Sequence, residues 1–314
     1  MIFDDHEVSD DWYLNRHWCE RVLGKPLGYR VVANGLLAYA LCQAWGNHPA
    51  QFNPGQPGEA LLRAVLQWSK AAGADEECAR EIAALLGLPP RDHLFCGDGD
   101  VDILNRAEGA IQWHYSFAST CHEVIVADTR TWRGYPREEA IAPPMLLSPT
   151  AFERQLREPL ASGSRERLTF IVLPTNIICL SIIDKVQQYH LSQSDVFPSD
   201  VGDAWNFNRV AFTQLMQTFC EFRQHIIVLS GDIHYSCAVK MQLQDLNARG
   251  DRPSTIIQLT SSAIKNAERK SQLAHTRLKA LLPEPNESWL GWKTTPTLRS
   301  QISTEGRVYQ QMHS

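Results

Sequence analysis

Between residues 111 and 262 the chain alternates two textures, and this alternation restricts its fold more than any other feature. "IQWHYSFAST", "HEVIVADTRTW", "RLTFIVLPTN" and "HIIVLSGDIHY" are short, apolar and rich in β-branched residues, as strands covered on both faces are. "SPTAFERQLREPLA" and "WNFNRVAFTQLMQTFCEFRQ" lie between them with helical spacing of their apolar positions. "CAVKMQLQ" and "STIIQLTSS" read as two further strands. Strands alternating with helices specify an α/β fold with a central, largely buried sheet.

The first third has a different character. Residues 31–46, 58–73 and 75–88 read as helices, with Asp75 as an N-cap and Gly87 as a stop. Between the first two lies the Pro/Gly/Asn stretch "NHPAQFNPGQPG", which reads as a loop. The strands cannot be divided without breaking their sheet. The expected organisation is therefore one main domain over residues 1–270, carrying a helical insertion at about 30–95. Residues 271–314 are expected to form a polar tail, helical at first and then irregular.

Composition excludes several partner classes. A net charge of −5 and a pI near 6.1 leave no basic footprint for nucleic acid and no polybasic patch for a membrane surface. No stretch reaches the length of an apolar membrane span, and no basic start followed by an apolar run marks a leader. The eight cysteines form no C-x-x-C pair, and several lie within apolar runs. Buried thiols in a reducing compartment are expected, which makes the location cytoplasmic. The absence of G-x-S-x-G argues against an α/β-hydrolase with a serine nucleophile.

Two clusters carry candidate chemistry. In "HIIVLSGDIHYS" a buried strand runs into a loop, with Gly231 permitting the turn. Asp232 and His234 follow at the carboxyl end of the strand, where open α/β sheets bind ligands. Two residues apart on an extended backbone, they point the same way and could share a divalent metal. A hydrogen-bonded loop Asp with a satisfied His is the plainer reading. "MIFDDHEVSDDW" is read as a strand end followed by Asp4, Asp5, His6 and Glu7. Such a run is either solvated or bound to a cation. Asp10 and Asp11 could cap a following helix. In "ADTRTWRG", Asp128, Arg130 and Arg133 lie in a loop after a strand; they form either a stabilising Asp–Arg pair or, through Arg130, a donor to phosphate.

Together "IFDDHEVSDDW", "VADTRTWRG", "VLSGDIHYS" and "IIQLTSSAIKN" resemble the PhoD-like branch of the calcineurin-like metallophosphoesterases. The resemblance covers residues 1–15 and about 110–270. It implies a four-layer α/β/β/α sandwich around a dinuclear metal site, and a metal-dependent hydrolase of phosphomonoesters or phosphodiesters. It implies Asp5, Asp232 and His234 as metal ligands. His6 would be the phosphate contact and general acid, with Arg130 a further catalytic donor. The implied cofactors are divalent or trivalent ions of Fe, Mn, Zn or Ca. Asp232 stands where the wider superfamily has a His, and its added negative charge favours harder or higher-valent ions.

That superfamily places two further carboxylate motifs ahead of the Asp-Asp-His-Glu motif. Here Asp4 follows Met1 by three residues. The fold is therefore expected to be incomplete at its N-terminus. The alternative expectation is a non-catalytic or partner-dependent fragment, missing an N-terminal segment or self-associating through an exposed sheet edge. Thr175 and Asn176 fall where many relatives have another His.

Overall fold

The computed structural model describes residues 2–178, 189, 191, 203–231, 236–243, 253–261, 297–302 and 308–313. The chain is α/β and divides into two compact units: residues 1–115 with 128–153, and residues 116–127 with 154–314.

The first unit is mostly helical. It contains α1 (Arg16–Leu23), α2 (Pro26–Tyr39), α3 (Trp45–Asn47), α4 (Pro57–Lys70) and α5 (Glu76–Leu85). A π-helical turn, Ala40–Ala44, joins α2 to α3. The expected caps of α5 are present. The Asp75 carboxylate accepts from the amides of Glu77 at 2.9 Å and Cys78 at 3.0 Å, and Glu76 and Glu77 add negative charge to the first turn. Gly87 then takes φ +83°, a conformation that stops a helix and that glycine adopts at no steric cost. The start of α1 differs from expectation. Asn15, rather than Asp10 or Asp11, caps it by accepting from Trp18 N at 2.8 Å. Strands β1 (Phe95–Asp98) and β2 (Val101–Leu104) form an antiparallel hairpin, and β5 (Tyr135–Pro136) pairs with β2.

The second unit holds the sheet that the strand–helix alternation specifies. Its six strands run in the order β3 (Tyr115–Ala118), β4 (His122–Val126), β6 (Leu168–Val172), β7 (His225–Ser230), β9 (Ser254–Ser261), β8 (Ser236–Leu243). β4, β6, β7 and β9 are parallel, with Val124 opposite Phe170 and Ile227 opposite Ile257, while β8 lies antiparallel at the edge. Burial along β9 alternates residue by residue, as a strand period of two requires. Of the further helices, α6 (Pro149–Phe152) belongs to the first unit, and α7 (Glu158–Ala161) and α8 (Arg209–Phe222) belong to the second. Asn208 caps α8, which buries Ala211, Phe212, Leu215, Met216 and Phe219 along one stripe.

Arg223 closes α8 and ties it to two strands. Its Nε donates to Glu123 Oε1 of β4 at 2.7 Å and to Thr169 Oγ1 of β6 at 2.8 Å, and its Nη1 donates to the Leu160 carbonyl at 2.6 Å. Gly163 makes room for this guanidinium, since a Cβ there would lie 2.4 Å from Arg223 Nη2.

Several sequence expectations are corrected. The tail contains a described antiparallel pair, β10 (Thr297–Ile302) with β11 (Val308–His313), where irregular chain was expected. Cys19 and Cys78 are buried, but Cys42 and Cys121 are exposed and Cys96, Cys220 and Cys237 are partly exposed. Cys42 shows why: its apolar run is helical and has an outward side. Cys179 lies outside the described residues. No helix among the described residues is long and apolar enough to cross a membrane.

Candidate metal centre at the N-terminal turn

Residues 4–13 of the first unit do not form the strand end expected of them. They fold as consecutive turns, in which the Asp5 carbonyl accepts from the amides of Val8 at 2.8 Å and Ser9 at 2.9 Å. Five carboxylates within eight residues compete with strand pairing for the backbone amides. Glu7 takes the amide of Asp4 at 2.8 Å, and Asp5 Oδ2 takes that of Asp11 at 2.9 Å. Asp11 and Tyr13 have positive φ, so the chain turns sharply there.

An aromatic base fixes the turn. Phe3 and Trp12 are fully buried, with ring centroids 5.0 Å apart, and Phe3 also packs edge-on against Tyr39 at 4.9 Å and Trp113 at 5.3 Å. The residues between Phe3 and Trp12 therefore leave and re-enter one apolar cluster, which holds the acidic loop closed.

Arg130 secures the turn from the loop that follows β4. Its side chain is completely buried. Nε donates to Asp4 Oδ1 at 2.5 Å, Nη1 donates to the Trp12 carbonyl at 3.0 Å, and Nη2 stands 3.7 Å from Asp5 Oδ1. The Asp–Arg pair anticipated in this loop exists, but its carboxylate is Asp4. Asp128 instead organises the backbone, accepting from the amides of Arg130 at 3.0 Å and Thr131 at 2.8 Å and from the Thr131 hydroxyl. Burial pushes the Asp128 carboxyl upward, opposed by its hydrogen bonds with Thr131 and the charge of Arg106. Arg106 donates to Thr131 Oγ1 at 2.9 Å. A chain of contacts thus runs from Arg106 through Thr131 and Asp128 to Arg130 and the turn. Arg133 donates to the carbonyls of Thr129 at 2.8 Å and Tyr13 at 3.1 Å, so it bonds main chain only in these contacts.

The turn brings Asp5, His6 and Asp10 together. One ligand atom from each lies within 4.8 Å of the others. His6 Nε2 is 4.0 Å from Asp5 Oδ1 and 3.9 Å from Asp10 Oδ1. Asp5 is 3% exposed and its Oδ1 has no hydrogen-bond partner, whereas the His6 and Asp10 side chains are 57% and 75% exposed. A buried carboxylate oxygen without a donor, beside an imidazole and a second carboxylate, fits a divalent cation. Asp4, Asp5 and Asp10 against one guanidinium leave the locus negative, which also suits a cation. Asp10 was read as a helix cap in the sequence; its spacing from Asp5 brings it to the same point only because the backbone turns.

Asp232 and His234, the other expected ligands, lie outside the described residues. Their strand and approach are described. β7 ends at Ser230, and the Gly231 amide donates to the Pro174 carbonyl at 3.0 Å. Gly231 does not have positive φ, and a Cβ there would find its nearest neighbours at 3.7 and 3.8 Å. Gly231 itself therefore has no steric need to be glycine, contrary to expectation. Thr175 and Asn176 are buried. The following residues are fixed by Gln258 of β9, whose Oε1 accepts from the amides of Ile177 and Ile178, both at 2.9 Å.

No family model and no curated protein matches the chain. Among solved structures, one titled "Structure of PhoD" is similar over 60% of this chain and 34% of its own, at 16% identity and a TM-score of 0.34. The match spans about a third of that protein's length.

Proposed function

We propose that this chain is a metal-dependent phosphoesterase of the PhoD-like type, hydrolysing phosphomonoesters or phosphodiesters. The observation that carries the reading is the Asp5 carboxylate, buried with Oδ1 lacking a hydrogen-bond donor and grouped with His6 and Asp10. Asp5 and Asp10 would hold one cation, of Fe, Mn, Zn or Ca, beside the His6 imidazole. Asp232 and His234 are proposed as further ligands on their motif alone. Such a cation lowers the pKa of water and offsets charge on phosphate oxygens.

The remaining work falls to the side chains. His6 is exposed beside the carboxylates and is proposed to contact the phosphate and return a proton to the leaving oxygen. Arg130 holds Asp4 and stands next to Asp5, so it positions the metal-binding carboxylate. The direct phosphate contact expected of Arg130 requires Asp4 to release its guanidinium. The proposed place of action is the cytoplasm, with a phosphate ester as substrate.

The test is elemental analysis of the purified protein, joined to turnover of 4-nitrophenyl phosphate and bis(4-nitrophenyl) phosphate. Asp5→Asn is expected to lose bound metal and turnover together. His6→Ala is expected to lower turnover by about 10²–10⁴ if it acts as the acid. Metal-dependent turnover left unchanged by Asp5→Asn would sink the reading. A folded protein holding no metal would favour the alternative, a non-catalytic or partner-dependent fragment.

A further inference from the structure

A cleft lies within the helical unit, and no residue of the acidic turn lines it. It is a cleft of about 480 Å³ lined by residues of α2, α4 and α5 and by Arg91. Its volume is within the range of small-molecule sites. The apolar part comes from helical spacing: Ala33 and Leu37 lie one turn apart on α2, and Ala79 and Ile82 lie one turn apart on α5.

The polar part is unbalanced. Arg30, Arg80 and Arg91 line the cleft, and Glu76 is its one carboxylate. Among the described residues, none of the three guanidiniums forms an ion pair within 4.0 Å. The lining therefore carries an excess of two positive charges in a protein whose net charge is −5. Asp75, beside the cleft, feels the charge of Arg80 and offsets part of this excess, and the remaining positive charge concentrates small anions at that point.

The aromatic lining adds a second requirement. The Arg30 guanidinium lies 5.0 Å from the Trp68 ring centroid, and Tyr29 lines the same cleft. A guanidinium stacked on an indole still presents its N–H edge, so it can donate to an anion while the ring remains in place. Tyr29 offers a further aromatic wall. Rings beside guanidinium edges complement a ligand that is planar at one end and anionic at the other.

We propose that this cleft binds a small organic phosphate bearing an aromatic or heterocyclic ring, of the kind a nucleoside monophosphate represents. Arg80 and Arg91 receive the phosphate, Arg30, held over Trp68, turns its N–H edge to the same anion, and Tyr29 forms the stacking surface. This site uses no residue of the acidic turn, and it stands whether or not the turn binds metal.

The experiment is calorimetric titration of the whole chain with adenosine 5′-monophosphate, adenosine and inorganic phosphate, each in excess EDTA so that a metal centre contributes nothing. Saturable binding of the monophosphate at one site per chain is expected, roughly tenfold or more tighter than either fragment. The Arg30→Ala/Arg80→Ala variant should lose a similar factor. Glu76→Gln, which removes the opposing carboxylate, should bind more tightly, and this gain cannot arise from misfolding. Absence of saturable binding, equal binding of phosphate alone, or affinity unaffected by the arginine changes would overturn the proposal. Because the titrations contain EDTA, failure here leaves the phosphoesterase reading untouched, and the reverse also holds.

Discussion

Asp128 is a carboxylate whose hydrogen bonds do not fully offset its burial. Its folded pKa is raised from the ordinary 3.8, with burial the largest cause. Folding therefore takes up a proton between the unfolded and folded values. The stability this supplies is complete below the unfolded pKa and is lost as pH rises through the folded one. Asp128→Asn removes the titration. The urea midpoint of the wild type relative to Asp128→Asn should therefore be higher at pH 4.5 than at pH 7. A difference that stays constant or moves the other way would refute the assignment. Cys19 gives a second residue-scale prediction. Burial pushes its thiol up to about 12, so about one molecule in 10⁴ is thiolate at pH 8, and thiolate is the reactive form. Iodoacetamide on the native protein should label exposed Cys42 and Cys121 and spare Cys19, as read by peptide mass spectrometry. Labelling of Cys19 at a comparable rate would contradict its burial.

At the scale of elements, Arg223 joins a helix end to neighbouring strands through one buried charge. Replacing it by Met leaves Glu123, whose side chain is 6% exposed in the native chain, with Arg167 at 3.7 Å as its remaining cationic neighbour among the described residues. The expected cost is about 3–5 kcal/mol, because a buried charge has lost its partner. The double variant Glu123→Gln/Arg223→Met should recover part of it, and urea unfolding followed by far-ultraviolet circular dichroism measures both. Equal instability of the single and double variants would show that packing, not charge, fixes this point. None of this was legible in "CEFRQ", since nothing local pairs Arg223 with Glu123, 100 positions away. The parallel strands were legible because β-branched apolar runs have little choice but to be buried. The β1–β2 hairpin was missed, although Gly99-Asp100 between two short runs is a turn signal. The turn at Asp5 was misread because an apolar start before a polar run looks like a strand end. Its real determinant is the long-range closure of Phe3 on Trp12, Tyr39 and Trp113.

For the whole chain, a cation held at the proposed site would make metal binding and folding one linked equilibrium. The turn crowds Asp4, Asp5 and Asp10 near one another; Arg130 offsets part of their mutual repulsion, and a bound cation would offset more. An ion bound to the folded form and not the unfolded adds about 2.7 kcal/mol at 100 times its dissociation constant. For units of this size that corresponds to a rise in Tm on the order of 5 °C or more. Scanning calorimetry with Mn²⁺ or Zn²⁺ against EDTA should show the rise. Asp5→Asn should abolish it while leaving the EDTA-treated Tm close to, or above, that of the wild type, since it removes a buried charge that lacks a hydrogen bond at Oδ1. An equal rise in Asp5→Asn would place the stabilising cation elsewhere on the chain. A Tm indifferent to metal in the wild type would mean that Arg130 alone balances the turn, and that its carboxylates serve structure rather than catalysis.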